Sequence, residues 1–249
     1  MKALVRTAAK RLGYGVFDLR KDQWPGVFLP SHLAHTLAAL QINCVIDVGA
    51  NFGQYALMLR AAGYRGRIVS LEPVPETYQA LSRTASTDPA WATLNLALGD
   101  RDTVQTLNVF AGSDLSSFLS PTGDLVANVA GAAVIRAQPV AMKRLDSLFG
   151  ELVAPIHAPR VFLKLDTQGY DLRVLQGASA SIGSVHGIQT EVSVIPLYDG
   201  APDYLDVLGV CRRWGFEPTA FVPVSYDRKT GHVLEFDVVL RRRVPPITP

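Results

Sequence analysis

The chain has 249 residues, 48% hydrophobic and 18% charged, so it can bury one sizeable core, and a wholly disordered chain is excluded. Lysine and arginine total 24 against 22 aspartate and glutamate, and a net charge of +2 is too small to favour a nucleic-acid-binding protein. No apolar run has the ~18 residues of a membrane span and no signal-peptide core follows the basic N-terminus, which favours a cytoplasmic protein.

Residues 1–30 are predicted to form an N-terminal appendage. A basic amphipathic start with Leu4, Ala8 and Leu12 on one face precedes an aromatic, proline-containing segment through Trp24 and Pro30. Because positive charges are few, packing across the domain or against a second copy is favoured over membrane-surface binding. A homodimer is therefore one of the expected arrangements.

After this appendage, short apolar runs alternate with helical patterns, which is typical of βαβ units. Ser31 is placed to cap a first helix. Strands are predicted at 44–48, 67–71, 94–98, 161–165 and 188–192, and helices near 55–62, 75–85, 170–176 and 203–214. The sequence therefore predicts one α/β domain over residues 31–243 with a parallel sheet.

Two further segments complete the predicted domain. Residues 103–142 are poorly patterned, with strands at 106–110 and 140–143, and are expected to form an active-site loop or an inserted hairpin. The runs 218–224 and 234–240 are expected to form an antiparallel hairpin at the sheet edge. Cys44 and Cys211 are predicted to be reduced core residues, and residues 244–249 a flexible tail.

The sharpest motif is VIDVGANFG at 45–53, where an apolar strand runs through glycines directly into a helix. Such a turn lets a ligand approach bare backbone and the helix N-terminus. The spacing G-x-x-x-G departs from the dinucleotide fingerprint G-x-G-x-x-G, which argues against an NAD-dependent oxidoreductase. Asp47 would repel a diphosphate but suits a cationic ligand. The motif therefore favours S-adenosylmethionine.

Acidic residues also end later strands. Glu72 follows Asp47 by about one βαβ step, so its carboxylate can accept the hydroxyls of an adenosine ribose. Asp166 and Glu191 end two neighbouring predicted strands, and the carboxyl ends of parallel strands meet at one edge of a sheet. Such a pair can hold a hard cation or orient and deprotonate a hydroxyl, and simple capping is the alternative.

Together these segments resemble the FkbM-type S-adenosylmethionine-dependent methyltransferases. The likeness extends roughly over 44–241 and rests on VIDVGANFG, LEP at 71–73, NLALG at 95–99, SS at 116–117 and LDTQGYDLRVLQGA at 165–178. Gln168 departs from the family pattern, which more often has Glu before the glycine. A narrower likeness is to methyltransferases that act on methylated mannosides in polysaccharide assembly.

The resemblance implies a Rossmann-like class I methyltransferase fold, with a seven-stranded, mostly parallel sheet and a C-terminal antiparallel hairpin. It also implies O-methylation, often of a sugar or polyketide hydroxyl. The residues implied around the cofactor are Asp47, Gly49, Asn51 and Gly53 at the methionine half, Glu72 on the ribose, and the 95–98 strand end, including Ala97, near the adenine.

We therefore expect an O-methyltransferase that acts on a small acceptor, with a saccharide favoured, by in-line transfer from S-adenosylmethionine. Asp166 and Glu191 are the expected catalytic residues, either as ligands of Mg²⁺ or by orienting and deprotonating the hydroxyl themselves. Ser117 is expected at the cofactor, and Gln168, Tyr198 and Asp199 at the acceptor. A non-catalytic cofactor-binding protein and a polyketide O-methyltransferase are the alternatives.

Overall fold

The computed structural model describes residues 25–227 and 230–243. The predictions for residues 1–24, including Trp24, and for the tail at 244–249 lie outside these residues. The helices are α1 (Pro25–Ala39), α2 (Gln54–Ala61), α3 (Pro75–Ala85), α4 (Gly123–Asn128), α5 (Leu145–Val153), α6 (Asp171–Gln176) and α7 (Tyr204–Arg213), with a 3₁₀ helix at Ile182–Ser184. The strands are β1 (Cys44–Val48), β2 (Arg67–Leu71), β3 (Trp91–Leu94), β4 (Ala97–Leu98), β5 (Thr103–Phe110), β6 (Val134–Lys143), β7 (Val161–Leu165), β8 (Val185–Ser193), β9 (Phe216–Tyr226) and β10 (Val233–Arg242).

A seven-stranded sheet in the order β3-β2-β1-β7-β8-β10-β9 forms the centre of the fold. Within this sheet β3, β2, β1, β7 and β8 run parallel to one another, whereas β10 runs antiparallel to both β8 and β9. This confirms the expected fold class and the C-terminal antiparallel hairpin. The chain adds β2 and β3 on one side of β1 and later adds β7 and β8 on its other side. The carboxyl ends of β1 and β7 therefore border a crevice, as at the switch point of other open α/β sheets.

Helices cover both faces of this sheet. Apolar side chains of α1, α2 and α3 pack on one face against Val45, Ile68 and Phe162. Those of α5, α6 and α7 pack on the other, against Ile46 and Leu163. This layering follows from the near-continuous apolar runs of the parallel strands, which need cover on both sides. Cys44 and Cys211 are free and buried, as predicted.

The first helix begins earlier than predicted. It starts at Pro25 and contains Pro30, so Ser31 lies inside the helix and is exposed rather than capping it. Leu33 and Leu37 are buried against the core, so the predicted boundary at residue 30 falls within one packed helix. In the described part of the chain, no helix has the length and apolarity needed to cross a membrane.

The predicted strand at 94–98 is also wrong, because it is two strands in two sheets. β3 ends at Leu94, and β4 pairs in parallel with Met142 and Lys143 of β6. Between them the Asn95 amide donates to the Glu72 and Pro73 carbonyls at 2.8 and 3.1 Å. These bonds turn the chain out of the main sheet and towards the end of β2.

The segment after β4 forms the inserted hairpin, with longer strands than expected. β5 and β6 pair antiparallel and complete a three-stranded sheet in the order β4-β6-β5. Leu107, Val109 and Val140 pack against Val74 and Ala97. The insertion is therefore anchored beside the carboxyl ends of β1 and β2, where its connecting loop can border a site.

Gly49, directly after β1, supports a stability prediction. Its φ is +75°, and a Cβ there would lie 1.9 Å from the Asp166 carbonyl oxygen, whereas Gly63, with φ +96°, has no heavy atom within 4 Å of its Cβ position. Gly49→Ala should therefore lower the free energy of unfolding by at least about 3 kcal/mol, and Gly63→Ala by only about 1–2 kcal/mol. Urea unfolding of both variants checks this, and equal losses would contradict a close approach at Gly49.

Candidate active site

The turn between β1 and α2 is shaped by three residues with positive φ, namely Gly49 (75°), Asn51 (49°) and Gly53 (89°). The backbone N–H groups of Gly49 and Ala50 both donate to the Leu71 carbonyl at 3.0 Å, which ties the turn to the end of β2. At Gly53, a Cβ would lie 2.8 Å from the Trp91 ring, so helix packing requires this glycine. The turn is therefore rigid and presents bare backbone at Gly49.

A cavity opens beside this turn, between the ends of β1, β2 and β4 and the loop 113–118. Five of the seven predicted cofactor residues line it: Gly49, Asn51, Glu72, Ala97 and Ser117. Its inner wall is apolar and includes Leu96, Leu98 and Phe118. We call this space the first cavity. It combines an apolar wall with a few convergent polar groups, as nucleoside sites do.

Glu72 is the main charged group of the first cavity. It is 6% exposed, and its two carboxylate oxygens accept hydrogen bonds from the Asn51 and Val74 backbone N–H groups, each at 2.9 Å. Burial raises the pKa of Glu72 to about 7, against the opposing effect of these two bonds. Each carboxylate oxygen keeps a second lone pair, so Glu72 can still accept ribose hydroxyls.

Asn51 offers a second polar group suited to a cofactor. Its amide nitrogen donates to the Ser113 hydroxyl at 3.2 Å, but its buried amide oxygen has no hydrogen-bond partner. A buried polar atom without a partner costs free energy, so a donor from a bound molecule would stabilise this site. The residues of the first cavity therefore fit S-adenosylmethionine, which carries ribose hydroxyls and an ammonium group.

Asp47 differs from the sequence-based expectation, because it does not face the first cavity. It is fully buried, its carboxylate accepts a bond from the Ser70 hydroxyl at 3.1 Å, and its other oxygen lies 3.2 Å from the Lys164 ammonium nitrogen. The cation that Asp47 meets is thus a side chain of the protein. Direct contact of Asp47 with a cofactor does not agree with this geometry.

A second cavity of about 250 Å³ lies on the other side of the turn, between α1, α2 and the ends of β7, β8 and β10. Its polar wall contains Lys164, Asp166, Gln189, Glu191 and Asp237, and Leu29 and Met58 form its apolar part. Gly49, Gln54 and Asp166 line both cavities. The two spaces therefore share a border at the end of β7.

Asp166 and Glu191 come together in this second cavity, as expected. Gln168 donates its amide to the Asp166 carboxylate at 3.0 Å and points to Glu191 at 3.5 Å, while Lys164 contacts the other Asp166 oxygen at 3.2 Å. Burial, and then the negative charges of Asp166, Glu235 and Asp237, raise the pKa of Glu191 well above its usual range. These surroundings favour the protonated form of Glu191.

These contacts do not fit the expected Mg²⁺ site. A bound cation needs several free anionic oxygens, but both Asp166 oxygens already accept hydrogen bonds, from Lys164 and from Gln168. Within 25–227 and 230–243, no group of three His, Cys, Asp or Glu side chains is arranged to hold a metal ion. The donor set therefore favours the metal-free form of the expectation.

Tyr198 and Asp199, which were expected at the acceptor, line neither of these two cavities. Tyr198 is 2% exposed, and its hydroxyl oxygen lies 2.9 Å from both the Leu115 carbonyl and the Gln168 amide oxygen, so its single O–H can donate to either of them. Ser117 also supports Gln168, since its hydroxyl donates to the Gln168 carbonyl at 2.7 Å. Tyr198 thus helps to orient the Gln168 side chain. Asp199 is exposed.

Sequence reasoning missed a row of buried polar side chains on neighbouring strands. Ser70, Asp47, Lys164 and Gln189 are register partners across β2, β1, β7 and β8. The first three are polar residues inside largely apolar runs, RIVSL, CVIDV and VFLKL, whereas Gln189 lies in the more polar run GIQTE. A polar residue near the end of several neighbouring apolar strands was the signal in the sequence, because charged residues are rarely buried without a partner.

The buried carboxyl of Asp171 in α6 carries a pH prediction. Burial, followed by the charge of Asp166, raises the pKa of Asp171 to about 7 from a usual value of 3.8. A raised pKa gives stability that is present at low pH and lost as pH rises through about 7. Because one pKa unit corresponds to about 1.4 kcal/mol and the loss begins above the usual pKa of 3.8, Asp171→Asn should gain roughly 4 kcal/mol over the parent at pH 8 and about 1.6 kcal/mol at pH 5.

Urea unfolding of the parent and Asp171→Asn at both pH values measures this difference directly. Taking the difference removes the contributions of other titrating groups, including the buried Glu72 and Asp237. An unchanged pH slope in Asp171→Asn would contradict a raised pKa at this carboxyl.

The comparisons with known proteins agree with this architecture. Residues 47–218 match the family model of the methyltransferase FkbM domain. A crystal structure of methyltransferase FkbM from Methylobacillus flagellatus KT has 16% identity and a TM-score of 0.48, with coverage of 80% of this chain and 43% of that one. This chain thus spans less than half the length of that protein. No curated protein matches the chain.

Two structures with bound cofactor are also similar. Magnesium protoporphyrin IX methyltransferase (ChlM) from Synechocystis PCC 6803, with bound SAM, has 11% identity and a TM-score of 0.47, and the match covers 97% of both chains. Fibrillarin from Aeropyrum pernix, with natively bound S-adenosyl-L-methionine, has 10% identity and a TM-score of 0.42, with 79% of this chain and 66% of that chain covered.

The sheet order, the antiparallel hairpin and the glycine turn define a Rossmann-like fold of the S-adenosylmethionine-dependent methyltransferase class. Because the family model matches well over half of the chain, the chain belongs to the FkbM methyltransferase family.

Proposed function

We propose that the chain transfers a methyl group from S-adenosylmethionine to a hydroxyl of a small acceptor, with a saccharide favoured. The observation that carries this proposal is the shared border of the two cavities at Gly49, Gln54 and Asp166. A cofactor in the first cavity and an acceptor in the second would meet beside the Asp166 carboxylate. Such adjacency is what an in-line displacement requires, with the reacting atoms about 3 Å apart.

The proposed chemistry assigns the proton of the acceptor hydroxyl to Asp166. The cofactor, when bound, supplies a methyl group on a sulfonium centre. Asp166 lies at the boundary of the cavities, its side chain is 36% exposed, and Lys164 and Gln168 fix its orientation. A positioned carboxylate that takes the proton during transfer contributes a rate factor of about 10²–10⁴.

Glu191 has a different proposed role from Asp166. Burial first, and then the nearby carboxylates, raise its pKa well above the usual range, which favours its protonated form. A neutral carboxyl donates a hydrogen bond and cannot take a proton. We therefore assign Glu191 to binding an acceptor oxygen, and no step of this proposal uses a metal ion.

The lining of the second cavity supports a polyhydroxylated acceptor. Carboxyl and amide groups of Asp166, Gln189, Glu191 and Asp237 line it, and its apolar part includes Leu29 and Met58. Several convergent hydrogen-bonding groups suit a sugar ring with many hydroxyls. A polyketide with a mostly apolar surface offers fewer hydrogen-bonding groups to this polar wall.

A screen with labelled S-adenosylmethionine tests the proposal and both alternatives. Purified chain is incubated with panels of saccharide and polyketide acceptors, with EDTA and with added Mg²⁺. We expect transfer to saccharides at equal rates in both conditions. Cofactor binding without transfer to any acceptor would indicate a non-catalytic binding protein, and transfer to polyketides alone would overturn the saccharide assignment. A requirement for Mg²⁺ would overturn the metal-free assignment.

A further inference from the structure

We propose that Lys164 is a positioning residue of the transfer site, whose ammonium group holds the Asp166 carboxylate at the boundary of the two cavities. This inference rests on the proposed function, because it assigns a task to Asp166 in methyl transfer. Its structural part, that Lys164 fixes Asp166, stands on contacts alone.

The ammonium group of Lys164 contacts oxygen atoms from three residues. Its nitrogen lies 3.2 Å from an Asp47 oxygen, 3.2 Å from an Asp166 oxygen and 3.3 Å from the Gly49 carbonyl oxygen. The Tyr55 ring centroid is 5.3 Å away, and the side chain is 7% exposed. Two of these contacts are hydrogen bonds, to Asp166 and to the Gly49 carbonyl, and the third is an ion pair with the Asp47 oxygen that accepts no hydrogen bond. Lys164 therefore serves to fix its neighbours.

Strand geometry explains why this cation lies at this place. Lys164 and Asp166 are two residues apart at the end of β7, so their side chains leave the same face of the sheet. Asp47 is the register partner of Lys164 on β1. One ammonium group thus bridges two carboxylates that come from neighbouring strands.

Asp47 acts as the anchor of this arrangement. Its second oxygen accepts from the Ser70 hydroxyl, which in turn accepts from the Trp91 indole N–H at 3.0 Å. Since Asp47 is fully buried, it requires a charged partner and keeps Lys164 in one position. The chain of contacts therefore transmits the rigidity of β1, β2 and β3 to the Asp166 carboxylate.

The contact with the Gly49 carbonyl connects this unit to the cofactor turn. Gly49 lines both cavities, and its Cα approaches the Asp166 backbone so closely that no side chain fits there. Among the described residues that line the second cavity, Lys164 is the one cation. It therefore places a fixed positive charge between the cofactor turn and the proton-accepting carboxylate.

The test is a double-mutant cycle between Lys164 and Asp166. The cycle is built in the parent, which keeps the Asp47 anchor, and is repeated in Asp47→Asn, where Lys164→Met leaves no buried unpaired charge. In each case four proteins are compared: the starting protein, and the starting protein with Lys164→Met, with Asp166→Asn, or with both. Each is measured for kcat, acceptor KM and the Kd of S-adenosylmethionine, and crystal structures show the Asp166 side chain.

We expect Lys164→Met to lower kcat at least about 30-fold when Asp166 is present, but less than about threefold when it is combined with Asp166→Asn. The Kd of S-adenosylmethionine should stay nearly constant. The Asp166 carboxylate should also move in the crystal structure of the Lys164→Met protein. A loss of kcat from Lys164→Met that is equal with and without Asp166→Asn, or no loss at all, would overturn the proposal. If the parent transfers no methyl group to any acceptor, the proposed function fails, while an unmoved Asp166 would separately refute the positioning role.

Discussion

Asp166→Asn is expected to lower kcat by about 10²–10⁴-fold while the Kd of S-adenosylmethionine changes less than about threefold. Asparagine has the size of aspartate but cannot take a proton, so the variant removes the proposed proton acceptor and little else. Asp166 contacts the first cavity only at its boundary, whereas Glu72 and Asn51 lie within it. Rates with labelled cofactor and calorimetric titration of S-adenosylmethionine measure the two quantities separately.

Glu191→Gln is the matched control for this experiment. If Glu191 carries a proton near pH 7, glutamine preserves both its neutral charge and its ability to donate, so kcat should fall less than about tenfold. Asp199→Asn provides a second control, because Asp199 is exposed and lines neither cavity. A loss in Glu191→Gln as large as that in Asp166→Asn would identify Glu191 as the proton acceptor and contradict the assignment made here.

The sequence predicted much of the fold because its signals are local. The strands at 44–48, 67–71 and 161–165 are short apolar runs, and the structure places them at those residues. The glycine turn after β1 was equally visible, since Gly49 directly precedes a helical pattern. Chain order then placed the acidic strand ends at one edge of the sheet.

The strand and the helix whose bounds were predicted wrongly depend on contacts with segments that are distant in the sequence. The run at 94–98 is continuous in sequence, but Ala97 pairs with Met142 and leaves the main sheet. The first helix includes Pro30 because Leu33 and Leu37 pack into the core alongside α2 and keep the helix in place. Neither contact can be read from the residues that surround the segment.

The site shows the same division between local and distant information. Five expected cofactor residues line the first cavity, because each lies at a strand end or in the adjoining loop. The expectation for Asp47 did not agree with the structure, since its partner Lys164 comes from β7 and meets it only through strand register. Tyr198 was expected at the acceptor because it follows β8, yet its ring is buried beneath Gln168.

Glu72→Gln is expected to weaken S-adenosylmethionine binding by about 10–100-fold, because two hydrogen bonds to a charged acceptor are each worth about 1.5–3 kcal/mol and glutamine cannot replace both. In the structure, both carboxylate oxygens already accept from backbone N–H groups, so the amide nitrogen of glutamine would face a donor. Glu76→Gln, at an exposed carboxyl that pairs with Arg136 on the surface, is the matched control and should bind normally.

The same variant should remove a pH dependence of cofactor binding. The pKa of Glu72 is raised to about 7 by burial, so this carboxyl gains its charge between pH 6 and pH 8. Ribose hydroxyls donate to the charged form, so the Kd of the parent should decrease roughly tenfold over this range. In Glu72→Gln the Kd should stay level. A parent Kd that is constant with pH, or a slope that persists in Glu72→Gln, would show that Glu72 does not bind the ribose and would leave the first cavity without its main polar contact to the cofactor.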